Sequence, residues 1–519
     1  MRYAALALPL LLTASVALTG QEPTSGELLR AVERQLQAAH AGAGPSVACV
    51  VVSRSDQYPA KPGGDTPGRL GGFDPKQYLK DNPQAKPAVA NALDLSDVRT
   101  ISDHGFACGV VVDEKGLILT PYHVVDGATK VYVHLPGHAG SYADIHAADA
   151  RTDLAVLRLL DPPPGLRAIK FADVKLPTDR ARPTVAPGKL AVLMANAFVP
   201  GVRLNRPSAA LGSVTNVHSS LNLAGGKEVQ RSTSYYYYNA LLEHDAKLNA
   251  GISGAALLNL DGELIGLTTT APVLSQGEKA PDYALPMDDR LQRIVAVLCR
   301  GEEVEAGYLG VQIPNGPDAL PNMAPNGVAI SWVLPLGPLA LAGVRDRDTI
   351  THINGARIRR YEELLTHISG ALAGSKVTIT TAQAGEVTVT LGKLQHGQPF
   401  IASARPAAVF GLRVDHGSML AQLAQNNANP QILSEGVPPG VTIQEVAADS
   451  PAAAAFKKID DQKLSDVSKR WLITHVNGAA VATPREFYAA AKDQKSVKLT
   501  LIDPTEARAA RKAREVTLP

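Results

Sequence analysis

Cysteine is scarce: Cys49, Cys108 and Cys299 are the only 3 in 519 residues. That number is too small for a disulfide-built scaffold. Aromatic residues make up only 5% of the chain. An excess of one charge is also missing, since 51 Lys and Arg against 49 Asp and Glu leave +2. This balance argues against a nucleic-acid partner, which needs a clustered basic face. Beyond the N-terminus no apolar run reaches the ~20 residues a membrane helix needs. What is abundant is turn punctuation, with 44 Gly and 37 Pro, and this points to β structure. A hydrophobic content of 45% is that of a folded, globular chain. At roughly 100–200 residues per domain, the length predicts about three domains.

The N-terminus has the parts of an export signal over residues 1–20. Arg2 supplies the positive end, Ala4 to Ala17 form an apolar run, and Ala17, Thr19 and Gly20 are small enough for cleavage. Gln21 stands where a lipid-acylated cysteine would be required, so no lipid anchor is expected. An uncleaved anchor is the alternative. Export permits disulfides, but the spacing pairs none of the three cysteines, and buried thiols are the plainer reading.

Residues 21–46 form an N-terminal segment whose Leu28, Leu29, Val32 and Leu36 have helical spacing from Ser25 to Ala39. Val47 to Val52 reads as a strand. About 56–103 is rich in Pro, Gly and charge and reads as a long insertion. From Gly105 to Thr270, short β-branched runs alternate with turn residues, the pattern of a sandwich or barrel. The second half repeats itself. Ile350-Thr351-His352-Ile353-Asn354-Gly355 returns as Ile473-Thr474-His475-Val476-Asn477-Gly478, and Gly327-Val328-Ala329-Ile330 as Gly440-Val441-Thr442-Ile443. Each Asn-Gly predicts a tight hairpin, because both residues tolerate positive φ. Two copies read as two small domains, 304–395 and 405–519.

Three motifs carry chemistry. The run from Gly109 to Val125 reads as a hairpin whose second strand delivers His123. Arg151-Thr152-Asp153 precedes the apolar run Leu154-Ala155-Val156-Leu157, a place to bury a carboxylate. Gly251-Ile252-Ser253-Gly254 is a turn leading into a further hairpin. A serine hydroxyl is a weak nucleophile and needs a base. The base needs a carboxylate to hold its tautomer, and the oxyanion needs preformed N–H donors. His123, Asp153 and Ser253 supply the side chains, and the N–H groups of Gly251 and Ser253 supply the donors. Singly, each has a plainer reading as a strand end, a cap or a turn. In the order His, Asp, Ser they match the chymotrypsin-type arrangement.

On these residues the stretch from Val47 to Leu298 resembles the protease domain of the HtrA (Deg) family of trypsin-like serine proteases. The blocks are Gly116 to Thr120, His123-Val124-Val125, Arg151 to Leu157, Gly251 to Gly254 and Leu258 to Gly266. The two C-terminal copies resemble PDZ domains. The resemblance implies a mostly β fold, a chymotrypsin-like double barrel (47–298) followed by two PDZ domains. It also implies an exported, periplasmic or secreted endopeptidase acting on unfolded or damaged proteins. His123 becomes the base, Asp153 its partner, Ser253 the nucleophile, and Leu248 and Leu267 line the substrate pocket. Tyr308, Leu309, Gly310 and Val311, and then Phe410, Gly411 and Leu412, become loops that capture peptide C-termini.

The chain departs from the family's Gly-Asn-Ser-Gly-Gly-Pro at Ile252, Ala255 and Ala256, and Cys108 stands in the family's Gly-Ser-Gly. These departures motivate a second reading, a degenerate scaffold or holdase working through its PDZ domains. No metal or other cofactor is expected, since His134, His138 and His146 lack a ligand spacing. Partners are unfolded proteins and peptides, with a homo-oligomer possible in such a family.

Overall fold

The computed structural model describes residues 24–54, 95, 106–138, 140–177, 182–196, 206–218, 240–248, 252–269, 282–313, 327–359, 363–364, 367–368, 370–395, 400–426, 436–459, 471–506 and 508–519. The signal-like residues 1–20, nearly all of the 56–103 insertion, Tyr235 to Tyr238 and Gly251 lie outside these.

Helix α1 (Ser25–Ala43) starts at a capping box, Thr24 with Glu27, and runs past the expected Ala39 into a short turn at Gly44–Ser46. Reciprocal capping of this kind satisfies N–H groups the helix itself leaves open. Six strands then close the first barrel: β1 (Val47–Ser53), β2 (Phe106–Asp113), β3 (Leu117–Pro121), β4 (Lys130–His134), β5 (Ser141–Asp149) and β6 (Leu154–Leu159). Their order is β5-β4-β1-β2-β3-β6, with β5 also pairing β6. The period-two alternation of β1 turns Ala48, Val50 and Val52 into the barrel, against Val111, Ile118 and Leu157.

The second barrel uses β7 (Leu190–Ala195), β8 (Ser208–His218), β9 (Leu241–His244), β10 (Ala256–Leu258), β11 (Leu264–Thr269) and β12 (Asp282–Pro286), closed in the order β10-β11-β12-β9-β8-β7. Leu193, Val214, Leu242, Leu257 and Ala284 fill it. A third cluster joins the barrels through Val110, Leu119, Met194, Leu267 and Leu285, and α2 (Asp289–Cys299) adds Ile294 and Leu298. Each such side chain contributes about 1.5–3 kcal/mol when fully buried. The mostly β double barrel expected from the sequence is therefore what forms.

Two smaller units follow. The first contains β13 (Gly307–Tyr308), β14 (Val311–Gln312), β15 (Val328–Ala329), β16 (Trp332–Val333), β17 (Thr349–Ile353), β18 (Ala356–Arg357), β19 (Lys376–Thr381), β20 (Gly385–Thr390) and β21 (Gly392–Lys393). Next comes β22 (Phe400–Ala402). The second unit has β23 (Leu412–His416), β24 (Val441–Val446), β25 (Leu472–Val476), β26 (Ala479–Ala480), β27 (Val497–Ile502) and β28 (Arg514–Leu518). Its core buries Trp471, Phe456 and Phe487 completely. Both repeated Asn-Gly pairs sit at positive φ: 49° and 72° at Asn354 and Gly355, 51° and 81° at Asn477 and Gly478. Each Asn carboxamide oxygen also accepts an N–H from the next strand, of Thr378 at 2.9 Å and of Lys498 at 2.7 Å.

Two features were not read from the sequence. The C-terminal residues Arg514–Leu518 form β28 against β27. The stretch between the two small units contributes β22 to the first barrel, pairing Phe400 with Asp149 and Ala402 with Ala147. Ser403 continues the contact, with its N–H on His146 O at 3.0 Å and its Oγ 2.7 Å from His146 Nδ1.

Candidate active site

His123 lies in a short helical turn, Tyr122–Val125, directly after β3. Asp153 ends the turn between β5 and β6 and adopts φ 54°. That conformation is unusual for a non-glycine residue and is tolerated best by Asn and Asp. The turn is held locally. Asp149 Oδ2 accepts Thr152 Oγ1 at 2.9 Å, and the Tyr122 N–H donates to Asp153 O at 2.9 Å. Asp153 is wholly buried. Its Oδ1 accepts the His123 N–H at 2.8 Å, and its Oδ2 lies 2.7 Å from His123 Nδ1. On the far side of the ring, His123 Nε2 is 2.9 Å from Ser253 Oγ. The imidazole keeps 31% of its side-chain surface exposed, so the line of three opens to solvent at its reactive end.

The Ser253 turn is gripped by both barrels. Cys108 N–H donates to Ser253 O at 2.7 Å, and Gly254 N–H donates to Thr268 O at 2.7 Å. Gly254 has φ 80°, and a Cβ there would fall 2.8 Å from Pro121 Cδ and 2.9 Å from Cys108 C. Thr268 Oγ1 accepts the Ala255 N–H at 2.8 Å and bonds Ile252 O. The N–H of Ser253 donates to no group among the described residues. Ile252 is half-buried and packs, like Leu248, against the second barrel's core. Ala255 is fully buried outside the positive-φ region. Ile252 and Ala255, two of the departures from the family pattern, are thus accommodated by packing.

Two residues at this site carry no motif in the sequence. Thr269 Oγ1 donates to Asp153 Oδ2 at 3.0 Å, and Thr268 organises the serine turn. Only the register of β11 reveals them. Leu267, on the same strand, is wholly buried in the cluster between the barrels. Lys247 is exposed and paired with Asp282. Gly251 lies outside the described residues.

The two loops assigned to peptide capture differ. In the first unit Tyr308 is half-buried against a cluster of Leu334, Leu336 and Leu420 shared with the second unit, and burial pushes its phenol up to about 12. Gly310 has φ 75° and accepts the Leu334 N–H at 2.8 Å, while Leu309 accepts the Leu339 N–H at 3.1 Å. Val311 pairs with Val333. In the second unit Phe410 (φ 54°) and Gly411 (φ 84°) form a pinched turn. There the Leu412 N–H donates to Val409 O at 2.9 Å and the Val409 N–H returns to Leu412 O at 3.0 Å.

Residues 107–267 match the trypsin-like peptidase domain family. The chain is 29% identical over 380 residues to the periplasmic pH-dependent serine endoprotease DegQ of Escherichia coli, covering 71% of this chain and 73% of that one. Over most of its length the chain is similar to periplasmic serine endoproteases of the HtrA (Deg) kind. It is also 30% identical over 296 residues to a probable periplasmic serine protease do/HhoA-like of Haemophilus influenzae, covering 56% of this chain. With the periplasmic serine endoprotease DegP of Salmonella typhimurium it shares 28% identity over 360 residues and 68% of its length. The chain spans 58% of the Haemophilus protein and 66% of the Salmonella one. Among solved structures, the HtrA-type protease AlgW with decapeptide matches with TM-score 0.44 at 20% identity, over 70% of this chain and 99% of that one.

Proposed function

We propose that the chain is an exported, periplasmic serine endopeptidase that cleaves unfolded proteins through an acyl-enzyme on Ser253. The observation that carries this reading is the unbroken line Asp153–His123–Ser253, with heavy-atom separations of 2.7 and 2.9 Å. As Ser253 Oγ attacks a peptide carbonyl, its proton passes to His123 Nε2. Buried Asp153 fixes Nδ1–H and stabilises the imidazolium. The N–H of Ser253, joined by that of Gly251, receives the oxyanion; such a donor is worth about 2.7–4 kcal/mol where measured. His123 returns the proton to the leaving amine, and water releases the acyl group by the same route. The periplasmic names of the relatives support export. Leu248, half-buried beside the serine turn, is the residue for an apolar pocket, since Leu267 is committed to the core.

The two small units act as PDZ-like peptide docks in this reading, and the first is the one suited to a terminal carboxylate. In the second, the Leu412 N–H is already spent on Val409. A fluorophosphonate probe tests the nucleophile. Labelling of the wild type that disappears in Ser253→Ala supports the hydrolase. Absence of labelling and of casein digestion, with and without a C-terminal peptide, decides instead for a non-catalytic scaffold.

A further inference from the structure

Two of the chain's three cysteines face each other across one strand pair. In the β1–β2 ladder, Cys49 is the direct Cα partner of Cys108. The Cys108 N–H points away from β1, since it donates to Ser253 O at 2.7 Å. The pair is therefore of the non-hydrogen-bonded kind, in which opposite Cα atoms stand about 4.5 Å apart and side chains approach most closely. That separation lies within the ~4.4–6.8 Å over which a disulfide closes without moving backbone. Opposed residues project to one face of a sheet. Here it is the outer face of the first barrel, where both side chains are completely buried and stand as unbridged thiols, Cys49 beside Val51 and Tyr132 and Cys108 against the second barrel's core. We propose that Cys49 and Cys108 are joined by a disulfide in the exported protein.

Cys299 is not a rival for either sulfur. It closes α2 elsewhere, and burial, aided by the Asp113 charge, pushes its thiol up to about 11. Little thiolate is then present to attack a disulfide. The bond forms by two exchanges with a disulfide donor R–S–S–R, a dithiol oxidase or a small-molecule disulfide. One cysteine thiolate attacks a donor sulfur and expels RS⁻. The second thiolate attacks the resulting mixed disulfide at the cysteine sulfur and expels the other RS⁻. The protons of the two cysteines leave with the two RSH molecules, so the donor is reduced as the pair is oxidised. Because neither sulfur is exposed, exchange belongs to folding, before the second barrel covers β2, and reductants are excluded afterwards.

The bond closes a loop spanning residues 50–107, at the base of the long insertion. A cross-link of this length restricts the unfolded chain strongly. It also bears on the serine turn, because Cys108 is the strand residue that grips Ser253. The proposal stands apart from the hydrolase reading, and its test requires no turnover.

The full chain is secreted through an oxidising compartment, harvested without reductant, unfolded in alkylating agent, digested and mapped by mass spectrometry. The expected product is the Cys49 peptide linked to the Cys108 peptide, with Cys299 alkylated. Recovery of Cys49 and Cys108 both alkylated, or linked to Cys299 or to a second chain, overturns the proposal. A second measurement uses Cys49→Ala, Cys108→Ala and the double variant. If the bond exists, each single lowers the thermal midpoint, the double lowers it no further, and wild type refolded in reductant falls with them. Additive losses would mean two independent packing sites and no bond.

Discussion

Gly254→Ala adds one methyl group at the tightest point of the serine turn. The backbone there has φ 80°, a left-handed conformation that costs an L-residue roughly 1–2 kcal/mol. The new Cβ would also stand 2.8 Å from Pro121 Cδ and 2.9 Å from Cys108 C. Neither neighbour can yield easily, since both belong to paired strands and Cys108 is bonded to Ser253 O. Overpacking of this kind costs about 1–3 kcal/mol. If the strain is kept, stability falls by about 2–5 kcal/mol, a large share of a typical ~5–15 kcal/mol. If the turn shifts instead, Ser253 Oγ leaves its 2.9 Å contact with His123, and an error of about 1 Å costs on the order of 100-fold in rate. Denaturant unfolding and the rate of fluorophosphonate labelling, measured on one preparation, cover both outcomes. A variant matching wild type in stability and in labelling rate would refute the reasoning.

Thr269→Val removes one of the donors to buried Asp153 while keeping the side chain's shape. A hydrogen bond to a charged group is worth about 1.5–3 kcal/mol, so kcat is expected to fall at least about tenfold with KM little changed, and steady-state peptide hydrolysis checks it. Asn477→Ala places a Cβ-bearing residue without a carboxamide at φ 51° and loses the Lys498 contact; a loss of about 1–2 kcal/mol in urea unfolding is expected. Glu303 lies 2.9 Å from Lys393 at the junction of the barrels and both small units, yet burial raises its pKa. Its protonated form is thus favoured by folding, and its contribution to stability is present below the ordinary carboxylate range and lost as pH rises through the raised value. Wild type minus Glu303→Gln stability should therefore fall from acid toward neutral pH; a flat or rising difference in thermal melts would contradict this.

The residues with distinctive chemistry were legible because each sits in a local pattern. His123 follows an apolar strand, Asp153 precedes one, and Ser253 lies between turn-forming residues. The Asn-Gly hairpins were legible for the same reason. What could not be read was anything set by register between distant strands. Thr269 and Thr268 look like ordinary strand threonines until β11 is aligned with its neighbours. Strand alternation likewise sends Leu267 into the core while Thr268 meets the serine turn. Cys49 and Cys108 seem unrelated because the long insertion separates two strands that pair residue for residue. The 3 residues of β22 are too few to show any periodicity, and their partner lies far back in the chain.

That small strand changes how the molecule comes apart. A peptidase fragment trimmed after Leu298 would lose the backbone that covers Ala147 to Asp149, together with Ile401 from the first barrel's packing. An uncovered ladder of this sort seeks another strand, and fragments tend to associate edge to edge. The covered edge also leads directly into the bend that presents Asp153. Three residues from beyond the first small unit thus complete the sheet of the first barrel as its seventh strand, laid against the edge of β5.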